Sequence, residues 1–257
     1  MEYVLICFAA LFASGLTLFS GFGLGTLLLP AFAIFFPVQA AVAMTAVVHL
    51  ANNIFKLGII GNKADLRAVL RFGLPALITS FAGAIMLIRL ADLPPIVTYT
   101  LMDKEFSVYP VKLVIGVLMA FFAGLELMTP FKKMAFDPKF LPLGGLLSGF
   151  FGGLSGHQGA FRSAFLIKSG LGKEAFVGTG VVIAVVVDLS RITAYSGLIW
   201  SPEIRENLNL IIAASLAAFS GAIAGRMLLK KITLRSVQVL VSILLFFISA
   251  GLISGLI

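Results

Sequence analysis

Residues 141–167 read LPLGGLLSGFFGGLSGHQGAFRSAFLI. Two apolar runs, Leu141 to Leu154 and Ala160 to Ile167, flank a polar, glycine-rich break, Ser155-Gly156-His157-Gln158-Gly159. Neither run alone spans a hydrocarbon core of about 30 Å, because an α-helix rises only about 1.5 Å per residue. The pattern occurs once more, near the N-terminus. Val4 to Phe19 and Leu24 to Phe36 flank Ser20-Gly21-Phe22-Gly23-Leu24-Gly25. Each pair is one broken crossing or a re-entrant hairpin.

The remaining runs are longer: Val38 to Ile60, Phe72 to Leu90, Val111 to Met128, Ala175 to Ile199, Leu208 to Gly225 and Val237 to Ile257. The chain is 60% hydrophobic and 12% charged, with mean hydropathy +1.10. Soluble domains carry about 25% charged residues, so lipid is the implied solvent. Barrel strands would alternate apolar with polar residues, and these runs do not, so an all-α membrane bundle is expected. The net charge of +8 lies in the gaps between apolar runs. That is the pattern of cytoplasmic loops and argues against nucleic acid as a partner. The single cysteine, Cys7, excludes a disulfide framework and is read as packing. Met1-Glu2-Tyr3 supplies no basic start for a signal peptide, so the first segment is expected to be retained.

Charge discriminates between crossing and hairpin. If both pairs are hairpins, twelve basic residues share one side: Lys63, Arg67, Arg71, Lys132, Lys133, Lys139, Lys168, Lys173, Arg226, Lys230, Lys231 and Arg235. Arg89, Lys104 and Arg205 alone fall on the other. If each pair crosses once, the split is seven against eight. The positive-inside rule selects hairpins, with Tyr99 and Trp200 at the outer interface and both termini outside. Each half then has one hairpin and three full spans, so the halves have opposite orientation. A trace of duplication agrees. At an offset of 135, Ser20-Gly21 falls on Ser155-Gly156, Asn53 on Asp188 and Lys56 on Arg191. At a nearby offset, Phe81-Ala82-Gly83-Ala84-Ile85 falls on Phe219-Ser220-Gly221-Ala222-Ile223. The expected organisation is a first repeat over 1–129, a cytoplasmic linker over 130–140 and a second repeat over 141–257.

Inverted repeats with broken helices point to a site near the midplane. The helix after each break offers free N–H groups and a positive dipole end, which suits an anion. The alternative is that the glycines only let helices pack closely. Ionisable residues inside the apolar runs are few: Lys56, Lys112, Glu126, Arg162, Asp188 and Arg191, with His49 and His157. Lys112 and Glu126 lie near helix ends, where they can snorkel. Asp188 and Arg191, three apart, share a helix face and either satisfy one another or serve a ligand. His49, Asn53 and Lys56 lie along the corresponding span of the first half. Lys56, Arg162 and Arg191 outnumber Asp188, so a small oxyanion fits better than a cation. Clustered metal ligands are missing, and no metal or cofactor is expected.

Gly153-Leu154-Ser155-Gly156 also has the G-x-S-G form of rhomboid intramembrane proteases. His157, next but one on a tight turn, is a poor base for Ser155, so this alternative and that of an anion channel rank below a transporter.

The glycines Gly21, Gly23 and Gly25, followed by Pro30 and an alanine-rich span from Ala40, resemble the sulfite exporter TauE/SafE family, also called the toluene-sulfonate uptake permeases. Leu146 to Gly149 and Gly152 to Gly156 look like its repeated glycine-rich element. Here His157 to Arg162 stands where the family pattern has a glycine run, and no proline follows, so the second break is more polar and basic. The resemblance implies transport of sulfite, sulfonates or related organosulfur anions across a bacterial inner membrane, without enzymatic activity. The substrate-binding candidates are Ser20, Gly21, Gly23, Gly25, Asn53, Lys56, Ser155, Gly156, His157, Gln158, Gly159, Arg162, Asp188 and Arg191. Asp188 would orient Arg191, and His157 would carry a proton. A proton or a sodium ion is the candidate coupling ion.

Overall fold

The structure, a computed structural model, describes residues 1–20, 23–128, 135–228 and 234–257. Gly21, the side chains of Ser20, Glu126, Arg226 and Arg235, and Lys132, Lys133, Lys230 and Lys231 lie outside the described residues.

Helices dominate, as the uninterrupted apolar runs require. The first half contains α1 (Glu2–Ser20), α2 (Leu24–Ala33), α3 (Val38–Ile60), α4 (Leu66–Ala91) and α5 (Pro110–Leu127). The second contains α6 (Leu141–Ser155), α7 (Gly159–Leu166), α8 (Lys173–Ala194), the short α9 (Ser196–Ile199) and α10 (Pro202–Glu206), α11 (Leu208–Leu228) and α12 (Leu234–Ser254). Among the described residues, four helical stretches are long and apolar enough to cross a membrane: Val38–Lys63, Leu66–Ala91, Lys173–Ala194 and Leu208–Gly225. The run expected over Ala175 to Ile199 divides at Tyr195 into α8 and α9.

Local chemistry sets several boundaries. Asp65 caps α4 by accepting the Ala68 N–H at 2.7 Å, which satisfies one of the helix's orphan donors. Its own N–H donates to Thr179 Oγ1 at 2.8 Å, tying the start of α4 to α8. Pro110 and Pro142 stand in the first turns of α5 and α6, where no amide hydrogen is needed. Within α4, Pro75 is tolerated; Thr79 donates to the Pro75 carbonyl and to the Leu146 carbonyl of α6.

One element was not anticipated. Val97–Leu101 (β1) and Lys104–Val108 (β2) form an antiparallel hairpin between α4 and α5. Met102 and Asp103 both have positive φ, 51° and 60°, the geometry of a tight two-residue turn. Tyr99 stacks on Phe106 across the hairpin and donates its hydroxyl to the Ser254 carbonyl, so the hairpin closes over the end of α12.

Glycines set the helix packing. Cβ atoms on Gly145, Gly149 and Gly153 of α6 would overlap the carbonyls of Phe72, Ala76 and Ser80 of α4. The four-residue spacing makes one small-residue stripe, and backbone meets backbone along it. Both series ascend together, so α4 and α6 run parallel. The same device joins α1 to α11, where Gly221 meets the Leu11 carbonyl and Gly225 the Gly15 carbonyl; these helices are also parallel. Two other pairs are antiparallel. Gly178 and Thr179 of α8 lie against residues 60–65 after α3, while Asp188 meets His49 and Asn53. Gly116 of α5 meets Ser249 of α12, while Ser242 donates to the Ala123 carbonyl at 3.4 Å.

The second broken pair folds back on itself. Gly144, early in α6, lies against the ring of Phe165, late in α7. Ser148 donates to the Gln158 carbonyl at 2.8 Å, and the Phe136 N–H reaches the Ala164 carbonyl at 3.3 Å. The segment arriving at α6 and the end of α7 therefore lie at the same end of the pair.

Candidate functional site

Helix α6 stops at Gly156, whose φ of +78° is left-handed, a conformation that glycine adopts without the clash a Cβ brings. The position is also tight: a Cβ there would stand 3.1 Å from Nη1 of Arg191. The chain then turns through His157 and Gln158 into α7. Across from this turn is the start of α2. A Cβ on Gly25 would lie 3.0 Å from the Gly156 carbonyl oxygen, and one on Gly23 would lie 3.8 Å from the Gly159 nitrogen. The two glycine-rich breaks, 135 residues apart in numbering, thus meet in space.

Asp188, fully buried on α8, is the hub beside this junction. Its Oδ1 accepts from Arg191 Nε at 3.0 Å and is 2.8 Å from Arg191 Nη2. Gln158 Nε2 donates to the same oxygen at 3.3 Å. Oδ2 lies 2.6 Å from His49 Nδ1 and accepts from Asn53 Nδ2 at 3.2 Å. Nδ1 must carry the histidine proton at that separation, because an ionised carboxylate only accepts. The 3.0 Å approach of Asn53 Nδ2 to Nδ1 is then a contact between two donors. Arg191 is itself fully buried and donates from Nη1 to the Gly152 carbonyl at 3.2 Å.

Gln158 links the carboxylate to a second cation. Its Oε1 accepts from Arg162 Nη1 at 3.4 Å, while its amide donates to Asp188. Arg162, half-buried on α7, runs beside Gly180 of α8. Lys56 is buried one turn beyond Asn53, but it turns to α1, where Nζ is 3.5 Å from the Ser14 carbonyl.

The Ser155–His157 pair is closer than expected for neighbours on a turn. His157 Nδ1 lies 3.1 Å from Ser155 Oγ, and Ser155 donates its own proton to the Phe151 carbonyl at 3.0 Å. The imidazole therefore donates to the hydroxyl instead of drawing a proton from it, the reverse of what a nucleophilic serine needs. His157 is stacked on Phe122, with ring centroids 5.1 Å apart and planes 4° apart. Its Nε2 is buried without a hydrogen-bond partner among the described residues, as is Thr45 Oγ1. Thr45, on α3, packs against Gly25, so one unpartnered atom lies on the second break and the other beside the first.

The structure thus gathers Gly23, Gly25, Asn53, Ser155, Gly156, His157, Gln158, Gly159, Arg162, Asp188 and Arg191 around one junction. Lys56 sits to one side, and Gly21 and the Ser20 side chain are not described. Sequence reasoning left two partners out of the site. His49 carries two signals in the sequence, an ionisable ring inside an apolar run and a four-residue spacing from Asn53, neither of which shows its partner. Tyr195, four residues after Arg191, donates its hydroxyl to the Gly153 carbonyl. Lys112 Nζ lies 5.5 Å from the centre of the Tyr109 ring. The described residues contain no group of three His, Cys, Asp or Glu able to hold a metal ion.

A family model described as sulfite exporter TauE/SafE matches residues 6–252. No curated protein and no solved structure matches the chain.

Proposed function

The chain belongs to the sulfite exporter TauE/SafE family, and from that premise we propose that it is a secondary transporter of a small sulfur-containing anion. Members of that family are membrane transporters and not enzymes. The proposed substrate is sulfite, a sulfonate or a related organosulfur anion, bound where the two breaks meet. The observation that carries this reading is the charge at the junction. Arg162 and Arg191 stand there with Asp188 as the one buried carboxylate among the described residues. Charges inside a membrane bundle are costly unless paired or used, and an anion would balance the excess. The N-termini of α2 and α7, beginning after Gly23 and Gln158, supply backbone donors. The second amide hydrogen of Gln158 and the unpartnered hydroxyl of Thr45 supply side-chain ones, while Ser155 and His157 line the junction with their protons already given to the Phe151 carbonyl and the Ser155 hydroxyl. Ser20 and Gly21 complete the first break in this reading, and Asn53 and Asp188 hold Arg191 in place.

Helix directions support an inverted-repeat organisation. With one crossing per broken pair, each half would cross four times, and α3 and α8 would run parallel, as would α5 and α12. Both pairs are antiparallel. Three crossings and a hairpin per half give that arrangement. Asn53 and Asp188, related by the repeat offset, then meet each other at 3.2 Å, as partners near a two-fold axis do.

The test of the site is Arg162→Ala in proteoliposomes. Uptake of radiolabelled sulfite, thiosulfate or methanesulfonate should fall at least about tenfold, the scale of losing one charge-assisted contact. Thermal unfolding in detergent should stay near the parent, since Arg162 is half-buried. Undiminished transport of every anion would sink the assignment. For topology, Cys7→Ser removes the only cysteine, and single cysteines at Glu2 and Ile257 report the termini. Both are expected to react with an impermeant maleimide added outside intact bacterial cells; protection of the N-terminal position would overturn the hairpin reading and the bacterial inner-membrane orientation built on it.

A further inference from the structure

We propose that His49 and Asp188 form the proton-binding site of this transporter, and that a proton taken up there releases Arg191 to the anion. The inference rests on the anion-transporter reading and adds the coupling ion and its residues. His157, the histidine that sequence favoured for this task, is poorly suited to it. Its ring is held by Ser155 and stacked on Phe122, with no hydrogen bond to Asp188, Arg162 or Arg191.

His49 meets the requirements. It joins α3 to α8, the helices that carry the two repeats' matching polar positions, and Nδ1 is 2.6 Å from Asp188 Oδ2. The pair is buried, with side-chain exposures of 4% and 0%. Each oxygen of Asp188 serves a different cation or potential cation. Oδ1 faces Arg191, and Oδ2 faces His49. With His49 neutral, the carboxylate balances Arg191 alone, and the guanidinium has little charge to offer a ligand. When His49 gains a proton from water on Nε2, the ring becomes an imidazolium and takes up the carboxylate's charge. No bond in the protein breaks in this step, and the proton remains on the ring. Arg191 is then uncompensated beneath Gly156, at the junction of the breaks. A monovalent anion offsets the charge that the proton adds, so one proton and one anion occupy the site together.

The charged groups acting on His49 among the described residues are Asp188 and Arg191 from α8 and Arg162 from α7. Arg191 and Arg162 oppose a positive ring, and Asp188 favours one. An anion bound beside the arginines screens that opposition. Proton and anion therefore favour one another's binding, by equal factors in either order.

The experiment uses the full-length protein in detergent, with methanesulfonate and thiosulfate as probes because their charge stays fixed near neutral pH. Calorimetry should show methanesulfonate affinity rising about tenfold for each unit of falling pH above the midpoint, with about one proton taken up per anion bound. His49→Gln and His49→Asn should both show an affinity that is flat with pH. A variant that keeps the parent's slope overturns the proposal. Nitrogen NMR of labelled histidine decides independently of transport. His157→Gln leaves His49 as the only histidine signal, and that ring should gain a proton as the pH is lowered. Asp188→Asn should move its midpoint. A His49 ring fixed in one state throughout overturns the proposal. If neither anion binds but His49 titrates with Asp188-dependent behaviour, the proton site stands and the anion reading falls.

Discussion

Replacing Asp188 with alanine is expected to destabilise the protein by about 3–5 kcal/mol, the range for removing one partner of a buried ion pair. In a chain of this size that corresponds to a fall of about 10 °C or more in the unfolding temperature in detergent. The size follows from the number of groups left behind. Arg191 loses two contacts, from Nε and Nη2, and among the described residues keeps the Gly152 carbonyl. His49, Asn53 and Gln158 lose the acceptor they share. None can turn to water, because all four donors lie within the buried interior. Asp188→Asn should fall between the parent and alanine, since an amide oxygen still accepts but no longer offsets Arg191. The double variant Asp188→Leu/Arg191→Leu should recover much of the stability, as apolar replacements of buried pairs often do, and should not transport. An Asp188→Ala protein whose unfolding temperature stays within about 2 °C of the parent would contradict this account of the hub.

Gly153→Val is also expected to be strongly destabilising, for a steric reason. A Cβ at Gly153 overlaps the Ser80 carbonyl, so the obstacle is backbone and cannot rotate away. The same stripe places Gly149 on Ala76 and Gly145 on Phe72, and α4 cannot shift at one contact without disturbing the others. Gly153 also supplies the carbonyl that accepts from Tyr195. Overpacking a tight interface typically costs about 1–3 kcal/mol and occasionally more, and a carbonyl that cannot rotate away puts this site at the upper end. The readout is yield of monodisperse protein and its unfolding temperature, with Gly124→Val as the comparison, since a Cβ there meets nothing within 4 Å. Equal stability of the two variants would show that α4 and α6 do not pack through this stripe.

Much of the architecture was legible because lipid imposes simple demands. Long apolar runs must be helices there, and polar breaks must be buried in protein or line a cavity. The hairpin reading came from where Lys and Arg lie, and the fold-back of α7 along α6, from Phe136–Ala164 to Gly144–Phe165, has that form. The β-hairpin was not legible. Val97 to Val108 is short, and its turn, Met102-Asp103, lacks the glycine that usually marks two positive φ values. The site was half legible. Intramembrane ionisable residues are rare enough that Asp188, Arg191 and Arg162 stood out on cost alone.

Sequence by itself determined that this is a membrane helical bundle, where its two breaks fall, and which charged residues it holds in apolar surroundings. Spacing along the chain carries that information, because helix length and charge cost are local properties. Only the tertiary structure decided which of those residues share a partner. The contact of His49 with Asp188 joins positions 139 apart, and the meeting of Gly25 with Gly156 depends on two glycine-lined helix pairs holding both tips at one place. Lys56 and Arg191 occupy corresponding positions in the two halves, yet one turns to the Ser14 carbonyl and the other to Asp188. The difference is physical: asparagine stands three residues before the lysine and aspartate three before the arginine, so one carboxylate serves both halves and draws only the nearer cation.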